Sequence, residues 1–463
     1  MVEFDYIYRF GDITDQWSRG EKIDLQMGVP QPILVRADDA ALRYHATSSV
    51  PPQLADLVDI SLAIAAADRL SVRRSTMPCR IHIALPVRYP EVFTHSSLLN
   101  QLCAVLSYYT DDQWSFSFHQ RTTLGRPTEL QIALPCHNES TEVSLWSGGL
   151  DSLAGLWIRA RTRPDVPYVL VGTGSNTFIQ HIQRYVAQQL RRTQPVAMDL
   201  LQVPLEVITA SEQPKKRTQR KNRTQRTRGF VFLLLGAVCA LLEGQDTLMI
   251  YENGIGALNL AYRDSEIGVD HSRAVHPLAL IKMSDLVSQL LERPFRLQNP
   301  FLFWTKAEMC AFLRETAAEE LVSQTSSCDS RQRKPSQPPQ CGRCSSCLLR
   351  RQALAAAGIP DRTCYCWSDF AALGDDTALE AMHFQVATLR RLLSSNMPWI
   401  QLRTQFPTLG TVADRWGRWS EEACEIVADR LVRLYRQYVH EWDIAMPPLA
   451  RVHSGSTVVT RQG

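Results

Sequence analysis

Features that define several other protein classes are missing from this 463-residue sequence. No apolar run approaches the roughly 20 residues that a membrane-spanning helix needs, and the most apolar stretch, residues 229–242, is typical of a buried core helix. Residues 1–5 are not a basic segment followed by an apolar one, so they do not resemble a secretory signal. We therefore expect a cytoplasmic protein that does not insert into a membrane.

Cysteine is sparse, with 12 among 463 residues. A disulfide scaffold would need more of it in a shorter, secreted chain. Four cysteines are clustered and the others are scattered, which indicates a reducing compartment and one metal site. Apolar residues make up 45% and charged residues 21% of the chain, as in ordinary globular proteins. The length suggests roughly two to four domains.

An overall excess of one charge is also missing, because the formal charge is only +3. Residues 215–228 nevertheless hold eight Lys or Arg and no acid, and without those eight the charge would fall from +3 to −5. A solvated loop, a lid over a triphosphate and a docking surface for an acidic partner all fit this basic run. Nucleic-acid binding is disfavoured, because no aromatic residue is interleaved to stack on bases.

The apolar pattern changes near residue 143. Before that point it predicts an α+β domain of unknown role, with strands at 80–87, 113–119 and 129–134 and a helix at 96–107. After it, strands alternate with helices, which is typical of a parallel sheet with helices on both faces. The predicted strands are 143–146, 168–172, 200–207 and 247–251, and the predicted helices are 150–159, 178–192 and 229–242.

We predict four parts in the chain. An N-terminal α+β domain (residues 1–140) precedes the α/β domain (141–322), in which a ligand would bind at the carboxyl ends of the strands. A polar, proline- and serine-rich loop then leads into a cysteine-containing segment (323–370). The remainder (371–463) is mostly helical in pattern and ends in a polar tail at 454–463.

One motif follows a predicted strand and opens a helix: Ser147-Gly148-Gly149-Leu150-Asp151-Ser152. Adjacent glycines let the backbone turn tightly and bring its N–H groups to an anion, and the helix N-terminus adds about half a positive charge. Both serines add hydroxyl donors, and the carboxylate suits magnesium better than direct phosphate contact. A Walker loop is excluded, because GxxxxGK[ST] is missing. We predict a phosphate-binding loop; an ordinary strand-to-helix turn is the alternative.

The second motif is a cysteine cluster with the spacing C-x12-C-x2-C-x2-C, formed by Cys328, Cys341, Cys344 and Cys347. Two-residue spacers let thiolates converge on one tetrahedral ion, so we predict a zinc site that stabilises the fold and takes no part in chemistry. An iron–sulfur cluster is one alternative, although a ferredoxin run would place a cysteine near Arg351. Unliganded cysteines, or Cys364 or Cys366 replacing Cys328, are the others.

The glycine-rich motif resembles the pyrophosphate loop of the N-type ATP pyrophosphatases, the adenine-nucleotide α-hydrolases with the HUP fold. These enzymes cleave ATP to AMP and pyrophosphate while they activate a carboxylate or carbonyl oxygen. Followed by CGxCxxC, the loop resembles that of QueC, the 7-cyano-7-deazaguanine synthase. The resemblance covers about residues 143–366 and implies the α/β fold, ATP with magnesium, and structural zinc.

The resemblance also implies roles for single residues. Ser147, Gly148, Gly149, Leu150, Asp151 and Ser152 would bind ATP, with Asp151 on magnesium. Arg228, at the start of an Arg-led helix, and Lys306, in a turn similar to the family's TP…TKAE, would supply phosphate charge. With Asp151 they form the predicted catalytic set.

Asn253 and Glu252 would face the 7-deazaguanine substrate. More ordinary alternatives exist for all of these. Arg228 would merely end the basic run, Thr305 would be a helix cap followed by a surface Lys306, and Asn253 would start a simple turn.

The chain also departs from QueC. The family's Gly-Gln-Arg-His is replaced by Gly174-Ser175-Asn176-Thr177, and the chain has added regions at both ends. In this it resembles the longer QueC-like proteins of bacterial anti-phage systems, the QatC class and its CBASS relatives. That resemblance implies transfer of the activated deazaguanine to an amine of a partner protein. The alternatives are nitrile synthesis with ammonia in queuosine biosynthesis, and non-catalytic ATP sensing in a defence complex. QueC relatives are homodimers, so the resemblance also implies a homodimer.

Overall fold

The computed structural model describes residues 4–12, 17–26, 28, 30–37, 51–73, 78–123, 141–173, 177–193, 196–208, 225–263, 273–329, 338, 340–368 and 377–451. Four predicted features fall wholly or largely outside these residues. They are the strand at 129–134, the Gly174-Ser175-Asn176 segment, most of the basic run at 215–228, and the tail at 454–463.

The N-terminal part is built on a six-stranded mixed sheet whose strands lie in the order Gln113–Gln120, Arg80–Val87, Tyr6–Phe10, Trp17–Asp24, Pro30–Ala37 and Leu205–Ile208. Its face is covered by a helix, α1, that is buried on nearly every side. The predicted strands at 80–87 and 113–119 and the helix at 96–107 are confirmed. The elements are β1 Tyr6–Phe10, β2 Trp17–Asp24, β3 Pro30–Ala37, α1 Pro52–Leu70, β4 Arg80–Val87, α2 Pro90–Thr94, α3 Ser96–Thr110 and β5 Gln113–Gln120.

The second sheet has five parallel strands in the order β11-β10-β6-β7-β8, with helices between them. Successive strands run outward from β6 on one side and return to its other side at β10, so the strand order reverses beside β6. In such sheets the ligand site lies at the carboxyl ends of the strands at this reversal. The elements are β6 Glu142–Leu145, α4 Leu150–Thr162, β7 Tyr168–Thr173, α5 Thr177–Thr193, β8 Met198–Val203, β9 Leu205–Ile208, α6 Arg228–Leu242, β10 Thr247–Met249, α7 Gly254–Leu258, α8 Pro277–Leu291 and β11 Arg296–Gln298.

The single strand predicted at 200–207 is wrong, because Pro204 divides it. Proline has no N–H to donate to a sheet ladder, so β8 ends at Val203. The chain then enters the other sheet, where β9 pairs antiparallel with β3. Buried residues of both sheets form one continuous apolar core that includes Val203 and Leu205.

Helix α6 links the two sheets from within this core. It packs against α1 on one side and against β6 and β10 on the other. A Cβ atom at Gly236 would lie 2.7 Å from methyl groups of Leu145 and Leu248, so glycine lets the helix approach the sheet without displacing these side chains. The core helix predicted at 229–242 is therefore confirmed. Among the described residues, no helix combines the length and the apolar character needed to cross a membrane.

The rest of the chain is helical, as predicted for the C-terminal region. Helix α14 packs against α10, α11 and α13, and through α10 it adjoins the cysteine segment. A short 3₁₀ helix covers Glu319–Gln324. The helices are α9 Lys306–Glu315, α10 Ser345–Ala356, α11 Thr377–Leu393, α12 Pro398–Gln405, α13 Pro407–Ser420 and α14 Cys424–Arg451.

Candidate active site

The glycine-rich loop lies at the reversal of strand order, between β6 and α4. Gly148 has φ +72°, and a Cβ there would lie 3.1 Å from the backbone nitrogen of Gln183, so both the conformation and the space favour glycine. Gln183 on α5 also braces the loop. Its Nε2 donates to the Trp146 carbonyl at 3.0 Å, and the indole of Trp146 donates to the Gln183 carbonyl at 2.9 Å.

The hydroxyls of the loop converge on the first turn of α4. Ser147 Oγ lies 3.0 Å from Ser152 Oγ and accepts from the N–H of Gly149 at 3.1 Å. Ser152 in turn donates to the Gly149 carbonyl at 3.1 Å. Short hydroxyls, a glycine-rich turn and a helix N-terminus thus meet at one point, which is the arrangement that binds phosphate groups.

Asp151 joins this loop to two other elements. Its carboxylate forms an ion pair with Lys306 Nζ, from the first turn of α9, in which both side chains are largely buried. It also accepts from Asn253 Nδ2 at 2.9 Å, just after β10. Burial opposes the charge of Lys306, but Asp151 and Glu252 outweigh it and raise the pKa of the ammonium above its ordinary value.

Glu252 is the second carboxyl of this cluster. It accepts from Asn253 Nδ2 at 2.8 Å through Oε1, while Asn299 Nδ2 holds its backbone carbonyl at 2.8 Å. Burial first, and then the charge of Asp151, raise the pKa of Glu252 to about 8 against the opposing effect of Lys306. This shift favours the neutral acid form of Glu252, which has a proton to donate.

Asn253 fixes the distance between the two carboxyls. Its Nδ2 donates to both, and its Oδ1 accepts from Gly256 N at 3.0 Å as the N-cap of α7. The side chain is fully buried. Its amide is therefore engaged within the cluster, and its contact with a substrate, like that of Glu252, stays a prediction.

The turn before α9 explains how Lys306 reaches the loop. Thr305 caps the helix through a capping box with Glu308, so the predicted cap is confirmed. Lys306 is nevertheless only 5% exposed, so it is not a surface residue. Thr305 Oγ1 also donates to Glu441 on α14 at 2.5 Å, and burial raises the pKa of Glu441 to about 7. The C-terminal helix thus holds the turn that carries the lysine.

Arg228 begins α6, at the end of the basic run. Its guanidinium lies over the ring of Phe232, with 5.0 Å between the guanidinium carbon and the ring centroid. Helices of a parallel sheet run back against the strands, so their N-termini lie at the same edge as the phosphate loop. The catalytic role of Arg228 stays a prediction.

The four predicted cysteines converge. All four Sγ atoms lie within 4.8 Å of one another, with 3.7 Å between Cys328 and Cys344 and 3.9 Å between Cys341 and Cys347. Zinc with tetrahedral bonds of about 2.3 Å would place its sulfurs about 3.8 Å apart, so this donor set fits the ion. Cys364 and Cys366 are exposed and lie outside the group.

Backbone geometry holds this cluster in shape. Gly342 has φ +86°, and a Cβ there would lie 2.4 Å from the Trp367 carbonyl. The N–H groups of Arg343 and Cys344 point to Cys341 Sγ at 3.4 and 3.2 Å. Arg351, at the position where a ferredoxin would have a cysteine, donates to the carbonyls of Gly342 and Trp367, each at 3.2 Å.

Three residues beside the loop were missed by the sequence analysis. Ser326 and Ser327 contact the loop directly, and Arg350 contacts Ser327. The only signal in the sequence was that the two serines immediately precede Cys328, and the polar composition around them predicted a plain loop.

A parallel sheet flanked by helices, with a glycine-rich loop at its strand reversal and a four-cysteine cluster beside it, defines an α/β protein whose loop is suited to a nucleotide and whose cysteines could hold a metal ion. A family model described as "Queuosine biosynthesis protein QueC" matches residues 141–358, which include the loop, the Asp151 cluster and all four cysteines. This match supports a QueC-like family and indicates an ATP-dependent, carboxylate-activating enzyme of the queuosine type. No curated protein matches the chain.

Proposed function

We propose that this chain is an ATP-dependent ligase that adenylates the carboxylate of a 7-deazaguanine and transfers the acyl group to an amine. The observation that carries the proposal is the pairing of Asp151 with Lys306 beside the glycine-rich loop. A structural ion pair would not need to lie at the strand reversal. An ATP site needs both groups there, one to hold a cation and one to contact phosphate.

The loop residues would bind the pyrophosphate part of ATP through the N–H groups of the α4 N-terminus and the hydroxyls of Ser147 and Ser152. Magnesium bound with ATP would neutralise the departing pyrophosphate, and Asp151 is the carboxylate that would hold it. Lys306 then exchanges its carboxylate partner for a phosphate oxygen. Arg228 would add a second positive charge.

The reaction has two steps. A carboxylate oxygen of the deazaguanine attacks the α-phosphorus of ATP, the bond from that phosphorus to the bridging oxygen breaks, and pyrophosphate leaves. The amine nitrogen then attacks the carbonyl carbon of the acyl adenylate, AMP leaves, and the nitrogen loses a proton. Glu252 and Asn253 would face the deazaguanine, with the neutral acid of Glu252 able to donate a hydrogen bond to it.

We further propose that the amine belongs to a partner protein in an anti-phage system. The added C-terminal region supports this, because it is built onto the site: Glu441 of α14 holds the cap residue Thr305. Such a region could grip a protein acceptor, whereas ammonia needs none. Nitrile synthesis with ammonia, as in queuosine biosynthesis, is the second candidate, favoured by the match over residues 141–358. Non-catalytic ATP sensing is disfavoured by the intact Asp151–Lys306 pair.

The test is release of pyrophosphate and AMP from ATP and magnesium with 7-carboxy-7-deazaguanine, with and without candidate acceptor proteins. We expect AMP only when the deazaguanine is present. If no AMP forms under any of these conditions, the ligase proposal fails. If ammonia alone gives the nitrile at a rapid, steady rate, the protein-acceptor proposal fails. Mass spectrometry of co-expressed partner proteins should reveal a deazaguanine adduct.

A further inference from the structure

Ser326 and Ser327, which immediately precede Cys328, pack against the glycine-rich loop. Ser326 N–H donates to the Gly148 carbonyl at 3.3 Å, and the N–H of Leu150 donates to Ser327 Oγ at 3.4 Å. A Cβ at Gly149 would lie 3.3 Å from the Ser326 carbonyl oxygen, which helps to explain the glycine. The segment therefore lies directly against the N-terminus of α4.

The hydroxyl of Ser327 is arranged to donate. Its oxygen accepts from Leu150 N–H and from Arg350 Nη1, each at 3.4 Å. Both contacts use the oxygen as acceptor, so the O–H hydrogen is left for another partner. Bonds of this length are weak, and a phosphate oxygen could replace the one from Leu150 at little cost. The residue is also only half-buried, so a ligand can reach it.

Arg350 is a buried residue that anchors the residues just before Ser326. Its side chain is 0% exposed, and it donates to Thr325 Oγ1 at 2.7 Å and to the Val322 carbonyl at 2.6 Å. Within the described part of the chain it forms no ion pair, and its Nε has no hydrogen-bond partner. Burying a charge without an opposite charge is costly, so a nearby bound anion would stabilise this arrangement.

We infer that Ser327 is a phosphate ligand of the ATP site and that Arg350 is the positioning residue that aims its hydroxyl. The inference rests on the proposed function, because it takes the loop as an ATP site. It also gives the cysteine cluster a purpose beyond stability. Cys328 follows Ser327 directly and Arg350 lies three residues after Cys347. The cluster therefore helps to fix the positions of both Ser327 and Arg350.

Calorimetric titration with ATP and magnesium, and separately with pyrophosphate, tests the ligand. Ser327→Ala should weaken both affinities about tenfold, the size expected for one hydrogen bond to a charged group. Ser326→Ala is the matched control, because Ser326 contacts the loop through its backbone, and its affinities should stay within about twofold of the wild type. If Ser327→Ala binds as tightly as Ser326→Ala, the inference is overturned while the ATP site stands.

The positioning role is tested by a double-mutant cycle with Arg350→Lys, which keeps the charge but loses the planar fork. If Arg350 acts through Ser327, Arg350→Lys should weaken ATP binding in the wild type and have almost no further effect in Ser327→Ala. Additive losses would overturn that role. Zinc content and melting temperature identify an unfolded variant, and the Ser327→Ala result stands without this cycle. A wild type that binds neither ATP nor pyrophosphate overturns both this inference and the proposed function.

Discussion

Asp151 contacts Lys306 and Asn253, and magnesium bound with ATP would share its carboxylate with both. Asparagine at this position keeps the shape of the side chain but removes the charge that pairs with Lys306. We expect Asp151→Asn to slow pyrophosphate release about 100-fold, the usual loss when one electrostatic group is removed from an active site. Asp165→Asn, at an exposed position just after α4, is the matched control. Release by Asp151→Asn within threefold of that control would contradict the assignment.

Glu252 should make the free energy of unfolding depend on pH. Its pKa is raised from 4.5 to about 8 by burial and by Asp151, while Asn253 and Lys306 oppose the shift and Asp329 adds to it. Between these values the unfolded chain ionises the group and the folded chain does not, so the group's contribution to the free energy of unfolding falls as pH rises. Below pH 4.5 and above pH 8 this contribution no longer changes with pH.

Glu252→Gln removes that titration and keeps the oxygen that accepts from Asn253. We therefore expect the variant to gain stability relative to the wild type as pH rises from about 5 to 8, measured by urea unfolding at several pH values. Glu425→Gln, exposed at the start of α14, should show no such trend. A constant difference between Glu252→Gln and the wild type across this range would mean that Glu252 is ionised in the folded protein.

The residues of the site differ in how far the sequence could predict them. The glycine-rich loop is a continuous motif, and the four cysteines are closely spaced. The sequence therefore predicted the loop and, separately, the convergence of the four thiols. Glu441, Arg350 and Ser327 depend on contacts between distant segments, since Glu441 meets Thr305 across 136 positions. No local pattern indicates such a contact.

Among the elements, the alternation of strands with helices was a reliable signal, whereas helix α1 was not predicted and strand β9 was not separated from β8. In α1, 16 of 19 residues are buried, including three aspartates, so no apolar stripe distinguishes it. Strand β9 was merged with β8 because both are apolar. Pro204 ends β8, and pairing with β3 decides that the chain continues as a strand of the other sheet. The proline is visible in the sequence, but the partner strand is not.

The cysteine cluster should stabilise the segment that contains it. Cys347→Ser removes a fully buried thiolate from the cluster, and we expect loss of bound zinc and a melting temperature lower by at least 5 °C. Cys366→Ser is the control, because that thiol is exposed and outside the group. Metal analysis should find about one zinc per chain in Cys366→Ser and in the wild type. Zinc loss in Cys366→Ser would reassign the ligands, and iron in the wild type would overturn zinc.

The two sheets share an apolar core, and polar contacts of Asp68 connect their helices α1 and α6. Asp68, at the end of α1 and 0% exposed, accepts from Thr227 N at 2.9 Å and Thr227 Oγ1 at 3.0 Å, at the start of α6. It also pairs with Arg73, which in turn pairs with Asp112. One carboxylate of the N-terminal sheet's helix thus caps the helix that packs beneath the phosphate site.

We expect Asp68→Ala to lower the free energy of unfolding by about 3 kcal/mol, because it leaves a buried guanidinium and a helix N-terminus without their shared acceptor. Asp429→Ala, exposed on α14, should change it by less than about 0.5 kcal/mol. Since the core is continuous across both sheets, the loss should appear equally in hydrogen exchange of β4 and of β7. Faster exchange in β4 with β7 unchanged would mean that the two sheets unfold separately, despite the core that they share through α6.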